Sequence, residues 1–360
     1  MTMMTTTNKK SYTDKPKAVR EEDKLDEKNI FDFAKKNIPG LEGNLKIEQF
    51  LGGASNLTYL LSFDNQSFIL RCPPKGTKAK GAHDMAREYN IMRALKPFYP
   101  YIPTMIAYSD DEKIIGREFY IMEKLTGIIP RANLPKDLVL TENEVRQLCQ
   151  NTLDKLIALH KINCETAEFS SFGKGEGYAT RQIEGWCARY EKAKTWNVPS
   201  FDFVKEYLKK NIPKEERKCL IHNDFRFDNV VLNPENPTEI IGVLDWEMAT
   251  IGDPLMDLGN SLAYWIQADD DFFLRSFRRQ PTHLKGMFSR KEVVNYYLEK
   301  MNFPNVDFTF YEVYGLFRLA VIIQQIYFRY YHKQTSNPAF KRFWLVVNYL
   351  NWRCKRRISE

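Results

Sequence analysis

The segment Leu220-Ile221-His222-Asn223-Asp224-Phe225-Arg226-Phe227-Asp228-Asn229-Val230-Val231-Leu232 constrains this chain more than any other. An apolar pair leads into a polar loop, and an apolar strand leaves it. Within the loop His222, Asp224 and Asn229 stand in the order His-x-Asp-x-x-x-x-Asn. Pro234-Glu235-Asn236-Pro237-Thr238 then has the composition of a hairpin turn. Val243-Leu244-Asp245-Trp246-Glu247 reads as a returning strand that ends in a carboxylate. Such a hairpin brings Asp224, Asn229 and Asp245 to one end. Two carboxylates and an amide suit holding magnesium and accepting a proton from a hydroxyl. Each residue alone has a plainer use, since a lone loop Asp makes turn hydrogen bonds and a lone His is usually packed. The combination in a strand-loop-hairpin context is what points to phosphoryl transfer.

The loop resembles that of protein kinases, where an Asp is followed five residues later by a metal-binding Asn and, past a hairpin, by a second metal-binding Asp. The chain length of 360 residues suits two lobes sharing a cleft, and 43% hydrophobic and 14% aromatic residues are enough to bury a large core. No apolar stretch is long enough to span a bilayer, so no membrane association is expected. Residues 1–25 read as a disordered tail, polar and charged, without an apolar signal region. With no peroxisomal address at Ile358-Ser359-Glu360, a cytoplasmic location is expected. The six cysteines are scattered with no Cys-x-x-Cys pair, which argues for reduced thiols rather than zinc or a disulfide framework. A net charge of +7 favours anionic substrates, but no nucleic-acid motif is present and no nucleic-acid partner is expected.

Residues 26–124 read as a nucleotide-binding lobe. A short amphipathic helix covers Asn29 to Lys36, and strands cover Leu45 to Phe50, Thr58 to Phe63 and Ser67 to Arg71. Between the first two, Leu51-Gly52-Gly53-Ala54-Ser55-Asn56 is a tight turn. Gly52 and Gly53 lack the Cβ that blocks backbone approach to phosphates, and Ser55 and Asn56 supply donors. Arg71 ends the third strand, where kinases place a phosphate-contacting lysine, and Glu88 in the helix Met85 to Leu95 is its natural partner. A forked guanidinium can hold phosphate and carboxylate together; the plainer use is pairing with a surface acid. Lys75, Lys78 and Lys80 are fallback phosphate ligands. The strand Phe119 to Leu125 occupies the position of an adenine-binding hinge, with Glu123, Lys124 and Leu125 as candidates.

Residues 125–360 read as a mainly helical lobe carrying the catalytic loop and acceptor site. Val145, Leu148, Cys149, Leu153, Leu156 and Leu159 follow helical spacing to a structural His160. Helices are also expected through Gln182, Trp186, Arg189 and Tyr190 and over Phe201 to Lys210. Another begins near Pro254. The short run from Asp245 to Asp257 leaves no room for a protein kinase's activation segment ending in Ala-Pro-Glu. The expected acceptor is therefore a small molecule.

Here the chain resembles the aminoglycoside phosphotransferase and choline kinase superfamily, with Cys219 to Gly259 matching its two signature motifs. Gly52-Gly53-Ala54-Ser55-Asn56, Ile69-Leu70-Arg71-Cys72-Pro73-Pro74 and Asp245-Trp246-Glu247 more narrowly resemble the kinase-like domain fused to some acyl-CoA dehydrogenases. The resemblance implies an α+β, two-lobed protein-kinase-like fold with a small antiparallel-sheet N-lobe and a mainly helical C-lobe. It implies ATP and Mg2+ as cofactors, Asp224 as base, and Asn229, Asp245 and Glu247 around metal. His222, Asp253 and Asp257 take structural roles. Arg71 departs from the superfamily's usual lysine.

The acceptor is the open element. Arg318, Gln325 and Arg329 share one stripe of an otherwise apolar helix over Val313 to Tyr331, and Trp186 and Arg189 are candidates for a second wall. These cations suit a carboxylate or the phosphates of a CoA thioester; pairing with neighbouring acids is the other use. The narrower resemblance points to a hydroxy acid or hydroxyacyl-CoA. Tyr264, Trp265 and Asp269-Asp270-Asp271 keep a cationic, aminoglycoside- or choline-type acceptor open, and a catalytically silent nucleotide-binding protein is the remaining alternative. A monomer or homodimer is expected.

Overall fold

The computed structural model describes residues 15–50, 56–76, 84–214, 217–304 and 306–360. They divide into two compact units: one runs to Val139 and also takes in Asp228–Glu247, and the other comprises Leu140–Phe227 and Met248–Glu360.

In the first unit Asp26 caps helix α1 (Glu27–Asn37) by accepting from the Asn29 N–H. Strands β1 (Lys46–Phe50), β2 (Leu57–Ser62) and β3 (Ser67–Cys72) follow. Helix α2 (Met85–Leu95), capped by Asp84, leads to β4 (Met105–Ser109), the short α3 (Glu112–Ile115) and β5 (Phe119–Glu123). Strand β5 inserts between β3 and β4, giving an antiparallel sheet in the order β1-β2-β3-β5-β4. Tyr59, Leu61, Phe68, Leu70, Cys72, Phe119 and Ile121 share a core with Ile30 and Ala34 of α1. Side chains alternate across a strand, so Arg71, between Leu70 and Cys72, faces the other way.

The second unit opens with α4 (Glu142–His160), started by a capping box between Thr141 and Glu144. Helices α5 (Tyr178–Ala193) and α6 (Asp202–Lys210) precede β6 (Cys219–Ile221), which enters the His222–Asn229 loop. The chain then returns to the first unit for the antiparallel hairpin of β7 (Val230–Leu232) and β8 (Ile240–Val243). Back in the second unit, β9 (Thr250–Gly252) pairs with β6. Helices α7 (Pro254–Ala263), α8 (Phe272–Arg275), α9 (Arg290–Met301), α10 (Thr309–Tyr331) and α11 (Phe343–Ser359) complete it. Helices α7 and α10 touch backbone to backbone: a Cβ at Gly259 would strike the Tyr311 carbonyl, and one at Gly315 the Gly259 carbonyl.

Two expected boundaries move. Residues 1–14 of the expected tail lie outside the described residues. Lys17, however, forms an antiparallel bridge with Gln49, and Asp23 is buried where Gln49 Nε2 donates to its carboxylate at 2.9 Å. The folded chain therefore begins before residue 26. The first unit likewise does not stop at 124. Ile128 and Leu232 exchange backbone hydrogen bonds of 3.0 and 2.8 Å, and Val243 N donates to Tyr101 O at 2.7 Å. These bonds hold the hairpin to the sheet-bearing unit. All six cysteines are buried with free thiols, and no helix among the described residues is long and apolar enough to cross a membrane.

Candidate active site

In the first unit the site is built at one end of the β7–β8 hairpin. Val230 pairs with Val243, and the Leu244 N–H donates to the Asn229 carbonyl at 2.8 Å. Asn229 and Asp245 therefore leave the hairpin together at the same end. Asp245 adopts φ +68°, a left-handed conformation that Asp and Asn tolerate better than most residues. Its Oδ1 lies 3.1 Å from Arg71 Nη2, while Arg71 Nη1 lies 2.7 Å from Glu88 Oε1. Burial opposes charge on Arg71, but Glu88, Tyr120 and Asp245 outweigh it and hold the guanidinium more strongly protonated than usual. Burial also pushes the Glu88 carboxyl up against the pull of Arg71. The arginine's direction governs the pair, because a guanidinium facing two carboxylates keeps its proton.

Asn56, buried at the start of β2, donates from Nδ2 to Glu247 Oε2 at 3.0 Å, and Arg87 Nη1 donates to the Glu247 carbonyl at 3.3 Å. Gly52, Gly53 and Ser55, like Lys78 and Lys80, lie outside the described residues. Glu123 ends β5 with its N–H donated to Thr104 O at 2.9 Å and its carboxylate accepting from the Thr104 N–H and hydroxyl. Lys124 and Leu125 continue beyond the strand, and Leu125 packs where a Cβ on Gly242 would be. The oxygen donors of Asn229, Asp245 and Glu247 fit magnesium, a hard cation that prefers carboxylate and amide oxygens.

In the second unit the loop carrying Asp224 is fixed from below by Asp257. Asp257 Oδ2 accepts from the His222 N–H and Oδ1 from the Asn223 N–H, each at 2.8 Å, and Oδ2 also lies 3.1 Å from His160 Nε2. Burial raises this carboxyl, but the two histidines and the loop N–H together hold it below the usual carboxylate range. Asp253 caps α7 through the Leu255 and Met256 N–H groups. His222 is fully buried, and its Nδ1 lies 3.3 Å from the Asp224 N–H.

Two loop residues escaped the sequence reading. Asn223, at φ +65°, accepts at Oδ1 from Tyr178 and Asn260, both at 3.1 Å, and donates from Nδ2 to Met248 O. Only its suitability for a left-handed position marks it in sequence. Arg226 Nη2 lies 3.3 Å from Asp224 Oδ2, and its Cζ sits 4.7 Å over the Tyr264 ring. An arginine two positions after the Asp was the available signal.

The expected acceptor stripe divides. Arg318 is buried and donates from Nη2 to the Asn223 carbonyl at 3.0 Å, whereas Arg329 is exposed and Gln325 half-buried. Gln324, not Gln325, is the fully buried amide, donating to Ala193 O and Thr195 Oγ1. Trp186 and Arg189 lie together on α5, with Arg189 Cζ 3.8 Å over the indole. Asp270 is held bidentately by Arg290 at 2.7 and 2.8 Å, Asp271 caps α8, and Asp269 accepts from Gln267. That acidic run is committed to local structure. Between Asp245 and Asp257 the chain forms only a single 3₁₀ turn, β9 and the start of α7.

The sequence pattern of the phosphotransferase enzyme family matches residues 46–292. The chain belongs to this family. Acyl-CoA dehydrogenase family member 10 of Mus musculus is 33% identical over 86% of this phosphotransferase-family chain, which spans only 29% of that protein's length. A putative aminoglycoside phosphotransferase from Ralstonia eutropha JMP134 is 28% identical with a TM-score of 0.77, covering 93% of this chain and 99% of its own. The phosphotransferase of the streptomycin–ATP–APH(2″)-IIa ternary complex, 18% identical with a TM-score of 0.56 over 84% and 90% of the two chains, shares the fold. The α+β, kinase-like architecture expected of the sequence is thus the one this phosphotransferase has.

Proposed function

We propose that this phosphotransferase is a small-molecule kinase that moves the γ-phosphoryl group of ATP to an acceptor hydroxyl, with Asp224 as base. The hydroxyl oxygen bonds to the γ-phosphorus as the bond to the β–γ bridging oxygen breaks, ADP leaves, and Asp224 takes the hydroxyl proton. Arg226 holds the Asp224 carboxylate, and the Asp257 clamp on His222 and Asn223 fixes the loop that presents it. Arg71 binds phosphate oxygens while anchored on Glu88. Gly52, Gly53, Ser55 and Asn56 contribute donors to the same nucleotide, and Glu123 to Leu125 supply backbone groups for its base. Asn229 and Asp245, with Glu247, would hold magnesium, which when bound neutralises phosphate charge.

The observation that carries this reading is the bridging of Glu88 and Asp245 by one guanidinium. A merely structural strand-end arginine has no need of the hairpin-end carboxylate. The ATP in the streptomycin ternary complex supports ATP as donor. The likeness to an acyl-CoA dehydrogenase family member supports a hydroxy acid or hydroxyacyl-CoA as acceptor. The aminoglycoside phosphotransferase neighbours favour a cationic acceptor instead, but Asp269, Asp270 and Asp271 are already occupied. Magnesium-dependent ADP release over a panel of hydroxy acids, their CoA thioesters, choline and aminoglycosides tests the proposal. Stimulation by a hydroxy acid or its thioester supports it; ADP release that no acceptor raises above the water background contradicts it.

A further inference from the structure

Resting on the kinase reading above, we infer that Arg189, Trp186 and Arg318 form a subsite for an anionic group of the acceptor, either a carboxylate or a phosphate ester. Trp186 and Arg189 belong to α5 and Arg318 to α10, all in the second unit. Arg189 Cζ lies 3.8 Å and Arg318 Cζ 5.3 Å from the centroid of the same indole. The Arg189 guanidinium folds back close over Gly185, where a Cβ would sit 3.3 Å from both of its terminal nitrogens.

Among the described residues neither guanidinium pairs with a carboxylate. Elsewhere in this unit Arg290 pairs with Asp270, and Arg357 with Glu312. Arg189 Nε is buried without a hydrogen-bond partner, beside Trp186 Nε1 and the Tyr314 hydroxyl, which face each other, Trp186 at 7% exposure and Tyr314 at 0%. Buried polar groups are normally satisfied, so the unpartnered Arg189 Nε points to a missing ligand. Burial, and the like charge of Arg318, hold the Arg189 guanidinium below its ordinary value against the opposite pull of Tyr314. An anion converts that repulsion into two forked, charge-assisted contacts, whereas a cationic acceptor would add a third like charge. Arg189 is half-buried, so solvent reaches the cluster. The link to chemistry is short: Arg318 is bonded to the carbonyl of Asn223, the residue that precedes Asp224.

Isothermal titration of the full chain with butanoate, butyl phosphate and neutral butanamide tests this. None carries a free alcohol, so binding is read without phosphoryl transfer. At least one anion is expected to bind roughly tenfold or more tightly than the amide. The tighter of butanoate and butyl phosphate identifies which anionic group the acceptor carries. Arg189→Gln should weaken that anion about tenfold without moving the amide, and Arg189→Lys should restore part of the loss. An amide that binds as tightly as both anions, or anion affinity unchanged in Arg189→Gln, overturns the subsite and leaves Asp224 chemistry untouched. Anion binding intact in a protein that phosphorylates no acceptor overturns the kinase reading and not the subsite.

Discussion

Arg71 Nη2 lies 3.1 Å from Asp245 Oδ1 while the other arm of the same guanidinium holds Glu88 at 2.7 Å. One side chain thus ties strand β3 to helix α2 and to the end of the β7–β8 hairpin. The side chains of Arg71 and Glu88 are 12% and 0% exposed, so solvent screens the pair little.

A lysine has one nitrogen and cannot serve both carboxylates with the fork geometry. Arg71→Lys should therefore weaken nucleotide binding about tenfold, ~1.4 kcal/mol, with the fold retained. Arg71→Ala leaves Glu88 buried without its cation and should cost about 3–5 kcal/mol of stability. Nucleotide titration and urea unfolding check the two separately; an Arg71→Ala protein as stable as wild type would show that the pair is dispensable.

Asp257 predicts a specific acid limb. Its folded carboxyl is held below the usual range despite burial. Its contribution is therefore complete above the unfolded value of about 3.9 and fades as pH falls through the lowered native value. Asp257→Asn should lose about 3 kcal/mol at neutral pH, because the His222 and Asn223 N–H groups lose a charged acceptor. It should also show a shallower decline below pH ~4. Urea unfolding across that range is the check, and parallel wild-type and variant curves would exclude the clamp.

The α7–α10 contact has no slack. At Gly315 an added methyl would meet the Gly259 carbonyl, which belongs to a helix backbone and cannot rotate away. Gly315→Ala should cost about 3 kcal/mol, read as a lowered denaturation midpoint. A midpoint within error of wild type would mean that the helices separate freely.

How much of this was legible depends on how local the signal is. Four of the five sheet strands and the helices at Met85–Leu95 and Glu142–His160 follow from hydrophobic period, whereas β4 (Met105–Ser109) was not expected. Arg71 with Glu88 followed from the resemblance to kinases, which place a cation at that strand end and its acidic partner on the next helix. What sequence could not show is long-range. The pairing of β6 with the three-residue β9 joins segments too short to carry a period. The return of Asp228–Glu247 to the first unit depends on Ile128 and Tyr101 backbone groups that any residue would supply. Arg318 lay on a helical stripe that read as acceptor-facing, and its bond to the Asn223 carbonyl could be found only from coordinates. Asn223 was passed over because its neighbours in the motif drew the chemistry.

In the proposed reaction Asp224 takes the proton from an acceptor hydroxyl as the γ-phosphoryl group moves. Single-turnover transfer from γ-labelled ATP should be measured in wild type and Asp224→Asn, with nucleotide affinity determined on the same samples. Transfer to the acceptor should slow roughly 10²–10⁴-fold in the variant at unchanged nucleotide affinity. Transfer at the wild-type rate in Asp224→Asn would contradict it.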